Sequence, residues 1–144
     1  MARWYRVFGS LDILPTPAGI ESCLGAEVSF RFDAEDWCAA ESDGGSLHLE
    51  RWCADEPCVR AELNAWAAYL ETCDYSPRHV PLMERTIQTK QLFNLHGPSD
   101  SRFEGVCVAL CRHLAYVTAG FYQIDGVGFF DAGGTLLVEE EKEN

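Results

Sequence analysis

The chain has 144 residues, 47% of them hydrophobic and 24% charged, and carries a formal net charge of −12. That length fits one domain with a core of its own, and the 12% aromatic content with four Trp argues against disorder. The charge excludes direct nucleic-acid binding, which needs a basic footprint, and docking on anionic membrane surfaces, while a basic protein, a cationic ligand or a metal ion is left open.

Along the chain, Trp4 to Phe8 is aromatic and β-branched and predicts a first strand. The opening segment, broken by Arg6 and Gly9, does not read as a signal peptide. Leu11 to Pro17 holds two prolines and predicts a loop. From Glu27 to Asp33, Val28, Phe30 and Phe32 alternate with Ser29 and Arg31, the pattern of a strand with one wet side. Ala34 to Ala40 predicts a helical turn, Ser42 to Gly45 a turn, and Ser46 to Trp52 an alternating strand. The strands on either side of 34–45 are expected to pair antiparallel across a long connection. Trp37-Cys38-Ala39-Ala40-Glu41 recurs as Trp52-Cys53-Ala54-Asp55-Glu56, a period too short for the usual structural repeats.

A strong helix is predicted over 56–73. Val59, Leu63, Trp66, Leu70 and Cys73 form one apolar stripe, with Asp55 as cap and Pro57 in the first turn. Residues 76–81 predict a loop, Glu84 to Asn94 a strand, and His96-Gly97-Pro98 a break. A second helix over 100–118, capped by Ser99 or Asp100, carries Phe103, Val106, Cys107, Leu110, Cys111, Leu114 and Val117, and Gly120 is expected to stop it. Asp125-Gly126 and Ala132-Gly133-Gly134 then separate three short strands.

Together these elements predict an α+β fold: two layers, a mostly antiparallel sheet with two main helices packed on one face. Residues 1–138 are expected as a single domain and 139–144 as an acidic, frayed tail. No run approaches the ~20 apolar residues that span a bilayer, and the chain reads as cytoplasmic. Seven cysteines cannot all pair internally, so they read as thiols of a reducing compartment.

Chemical motifs are weak. Cys53 with Cys58, and Cys107 with Cys111 beside His113, have spacings a zinc ion could use. Neither pair has a knuckle context, however, so no metal and no cofactor is expected. Asp33, Glu35 and Asp36 lack the spacing and central glycine of a calcium loop. Gly126-Val127-Gly128 precedes a strand and is no dinucleotide fingerprint. Cys58, near a helix N-terminus where the dipole favours a thiolate, is the best-placed nucleophile candidate, with His79 and His96 as possible partners in a small enzyme or ligand-binding domain.

The charge distribution carries more information. Residues 21–74 hold thirteen acids against three bases, a net of −10, whereas residues 75–138 hold five of each and balance. Asp33, Glu35, Asp36, Glu41, Asp43, Glu50, Asp55 and Glu56 surround Trp37 and Trp52 in sequence. Acids set among aromatics suit an Arg- and Lys-rich protein surface. The expectation is therefore a binding module for a basic partner. In charge and size alone it has the character of immunity proteins, antitoxins and inhibitors of nucleic-acid enzymes.

Overall fold

A computed structural model describes residues 2–24, 29–33, 37–42, 45–98 and 101–140. The elements run β1 (Ala2–Gly9), α1 (Pro17–Glu21), β2 (Ser29–Asp33), β3 (Trp37–Ser42), β4 (Gly45–Cys53), α2 (Pro57–Glu71), α3 (His79–Ile87), β5 (Gln91–Pro98), α4 (Ser101–Val117), β6 (Phe121–Ile124), β7 (Gly128–Asp131) and β8 (Leu136–Glu139). The eight strands form one sheet in the order β2-β3-β4-β5-β1-β6-β7-β8, and every neighbouring pair is antiparallel. The α+β class and the antiparallel sheet are as the sequence predicts. Among the described residues no helix is long and apolar enough to cross a membrane.

The placement of the helices differs from the one-face expectation. Partners directly opposite in a sheet share a face, so register assigns each row of side chains. Val7, Phe93 and Tyr122 lie in one row and pack with Leu110, Cys111 and Leu114 of α4. Phe8, Leu92 and Phe121 lie in the next row, on the opposite face, and pack with Leu63 and Leu70 of α2 and Leu82 of α3. Helices therefore cover both faces. β1 sits at the centre of the sheet with Val7 and Phe8 both fully buried, so at this end it has no wet side to leave bare.

Three local expectations fail for identifiable reasons. Residues 84–94 are not one strand: α3 runs to Ile87 and β5 starts at Gln91. His96-Gly97-Pro98 lies inside β5 rather than breaking the chain. Trp37 to Ala40 belongs to β3, so 29–53 is a three-stranded meander and not a pair with a helical turn; the rest of that turn, 34–36, lies outside the described residues. The chain also adds a short helix, α1, where Thr16 Oγ1 accepts from Gly19 N–H and Pro17 opens the first turn.

Helix ends follow local chemistry. Glu56, not Asp55, caps α2, without a side-chain bond. The Ser99 and Asp100 caps proposed for α4 lie outside the described residues. At the other end of α4, Gly120 N–H donates to Ala115 O and Ala119 N–H to Tyr116 O, the paired bonds of a Schellman end. The left-handed residue is Ala119, at φ 52°, and not Gly120. Glycine is needed at 120 for another reason, because a Cβ there would run into the Phe8 carbonyl of β1. Glu139 and Glu140, assigned by sequence to the frayed tail, are tied in. Glu139 closes β8, Glu140 N–H donates to Val127 O, and its carboxylate accepts from Gly126 N–H.

Candidate functional site

On the α2 side of the sheet, three successive rows change character. Phe8 and Leu92 are fully buried, while Trp52, which extends their row onto β4, is 38% exposed. The next row reads Glu50, Asn94, Arg6 and Gln123 across β4, β5, β1 and β6. The third reads His48, His96 and Trp4, and Trp4 is 39% exposed. α2 leaves the upper rows partly open, and a cleft of about 220 Å³ forms at its N-terminal end. Asn94 is the floor. Trp4, Trp52 and Glu50 of the sheet bound one side, and Cys58, Val59 and Glu62 of α2 bound the other.

The cleft's polar groups are oriented. Trp52 Nε1–H donates to Glu50 Oε2 at 3.3 Å, which holds both side chains on the open face of β4. Arg6 lies with its guanidinium carbon 4.9 Å from the centre of the Trp66 ring and donates to Asp125 at 2.6 Å and Gln123 at 3.0 Å. It reaches Glu62 only at 3.4 Å. Asp125 therefore neutralises Arg6 at closer range, and Glu50 and Glu62 leave the cleft negative. Asn94 Oδ1 is the single buried side-chain polar atom without a hydrogen-bond partner among the described residues. Such an orphan carries a desolvation cost of about 1–3 kcal/mol, which structural residues rarely bear.

Beside the cleft, Trp4 packs at a tilt against His96 at 4.4 Å and His96 stacks on His48 at 4.9 Å between ring centroids. Burial, then the neighbouring His48, push the His96 imidazole below its ordinary pKa, with Glu50 acting in the opposite direction.

Of the ten residues expected to bind a partner, the structure brings Glu50 and Trp52 together in the cleft. Asp33 and Trp37 face each other across β2 and β3, and Glu41 pairs with Ser29 and Ser46. Glu35, Asp36 and Asp43 lie outside the described residues. Asp55 and Glu56 are exposed after β4 and do not line the cleft; Asp55 lines a second hollow of about 470 Å³ with Asp12, Arg60 and Lys90. That hollow is larger, and two of its charged groups are already engaged. Arg60 donates to the carbonyls of Ala54, Ile87 and Thr89, and Asp12 pairs with Arg51 at 3.2 Å. Sequence reasoning missed Trp4, Glu62 and Asn94. The available signal was Trp4 and Arg6 alternating with Tyr5 and Val7, and Asn94 and His96 alternating with Phe93 and Leu95.

The Cys58, His79 and His96 trio is not assembled. Cys58 is at the first turn of α2, whereas His79 Nδ1 is 2.9 Å from Leu70 O near its last turn. Twelve helical residues span about 18 Å, far beyond proton-transfer reach. Cys107 and Cys111 are fully buried in α4. Desolvation pushes the Cys107 thiol up to about 12 and Cys111 well above its ordinary value, so both behave as core hydrophobes. Among the described residues no three His, Cys, Asp or Glu side chains gather as a metal site. No family model, no curated protein and no solved structure matches this chain.

Proposed function

We propose that this chain is a small acidic protein-binding module that covers a basic surface on a partner protein, in the manner of an inhibitor or immunity protein. The single observation that carries the reading is the cleft on the open sheet face. There Trp52, Trp4, Glu50 and Glu62 line the space above Asn94, whose buried Oδ1 has no donor among the described residues. Aromatic anchors beside carboxylates that keep a free oxygen are the chemistry that recognises Arg and Lys. The net charge of −12 would steer a basic partner toward that face and discourage acidic ones. The mechanism is occlusion: the face covers a groove that its partner uses for nucleic acid. The thiol-rich composition suits a cytoplasmic setting.

Capture on immobilised protein tests this, with the bound proteins identified by mass spectrometry. The wild-type surface should retain proteins of basic isoelectric point. Glu50→Lys with Glu62→Lys should release them, and reversal of Asp33, Glu35 and Asp36 tests whether the docking face extends to the β2–β3 end. A retained set that is acidic, or indifferent to all of these changes, contradicts the reading.

A further inference from the structure

The cleft is too small for an ordinary metabolite. Pockets for drug-sized ligands occupy roughly 300–1,000 Å³, and this one holds about 220 Å³. A single long side chain matches that size. From the groups that line it, and resting on the reading of a basic partner given above, we infer that the cleft is a seat for one arginine side chain of that partner.

Three features select a guanidinium. The first is acceptor geometry. Glu50 spends Oε2 on the Trp52 indole and Glu62 spends Oε1 on Arg6, so each keeps a second oxygen without a partner among the described residues. Standing on the two sides of the cleft, these oxygens offer acceptors in different directions, while Asn94 Oδ1 beneath them is closed off from solvent and meets a guanidinium only if the amide turns. A guanidinium has five N–H donors in a fixed plane, whereas an ammonium is a compact point charge. The second is the walls: Trp4 and Trp52 are each a little over a third exposed, so their rings offer surface on which a planar cation stacks. The third is Arg6. The fold already holds one guanidinium on this face against Trp66, two carboxylates and the Gln123 amide oxygen. The neighbouring cleft presents the same set of groups (indole, carboxylates and amide), and its lining residues include no Arg or Lys.

The orphaned Asn94 oxygen gives the proposal a signature that a merely structural residue lacks. Replacing Asn94 by Leu removes a buried unsatisfied atom and should hold or raise the melting temperature. The same change removes the acceptor that would turn toward the guanidinium and should abolish arginine binding. A residue kept for folding would show the opposite pattern.

The test uses three blocked heptapeptides of glycine and serine that differ only in a central arginine, lysine or citrulline. Titration is followed by the NMR signals of the Trp52 indole and the Asn94 side-chain amide. The arginine peptide should bind with a Kd of about 1–10 mM, at least about fivefold tighter than the lysine peptide, and citrulline should not bind. Glu62→Gln should weaken arginine binding at least about fivefold, and Asn94→Leu should eliminate it in a protein that melts no lower than wild type. Equal binding of lysine, undiminished binding by Asn94→Leu, or no shift with any peptide would each overturn the arginine seat. Salt-sensitive capture of a basic partner would survive such a failure, so the two readings fail separately.

Discussion

Ala119 is a good place to see a residue and its backbone in conflict. It terminates α4 in the left-handed region, which costs an L-residue roughly 1–2 kcal/mol. Glycine is free of that strain but has more entropy to lose on folding, a partial offset of about 0.4–1 kcal/mol. Ala119→Gly should therefore stabilise the protein by about 0.5–1 kcal/mol, read by urea denaturation; a loss of stability would show that the turn is held by something else. His96 makes a second residue-level prediction. Its pKa in the fold lies below the ordinary value because of burial and His48. The unfolded chain then takes up a proton that the folded chain resists, so stability is fully present above about pH 6.5 and falls as pH drops through the lower folded value. Denaturation curves at pH 7.5, 6.5 and 5.5 should show that decline in the wild type and a shallower one in His96→Gln. Equal slopes would remove His96 from the account.

At the scale of elements, the edges of the sheet need explanation, because an unpaired strand invites another chain. β8 is an edge, and its outward carbonyls are occupied: Ser76 Oγ donates to Leu137 O at 3.1 Å and the Tyr75 hydroxyl to Glu139 O. The α2–α3 loop thus covers the edge. Tyr75→Phe with Ser76→Ala should free both carbonyls and raise self-association, visible as concentration-dependent light scattering, while an unchanged monomer signal would show that twist or charge alone protects β8. Elements also show where sequence is informative. α2 and α4 are legible because each carries an unbroken apolar stripe at helical spacing, and β6 to β8 because Asp-Gly and Gly-Gly punctuate them. α3 and β5 are not, since only three residues separate a short helix from a strand and an alternation count runs across the junction. β3 was misread because Ala39 and Ala40 have helical propensity, which pairing to β2 and β4 overrides. The cleft was half legible for the same reason. Glu50 and Trp52 are neighbours on β4, whereas Trp4, Glu62 and Asn94 join them only through register and the crossing of α2.

For the whole molecule, the sheet's two faces do different work. The face under α4 is sealed by Tyr5, Val7, Leu95 and Phe93 against Leu110 and Leu114, which secures the fold. The other face is sealed at Phe8, Leu92 and Phe121, while Trp52 at the end of that row and Trp4 two rows above are each over a third exposed, and His48, His96 and Glu50 are partly exposed. Folding alone does not ask for that exposure, and the basic partner we propose would give it a use. The most direct measurement is the association rate of a captured partner as ionic strength changes. From 0.1 to 1 M salt the Debye length falls from about 10 to about 3 Å, so the account predicts a rate that falls by about tenfold or more, with a flatter dependence for Glu50→Gln with Glu62→Gln. A rate that stays constant across that range, in wild type and variant alike, would contradict the claim that this acidic face recruits its partner by charge.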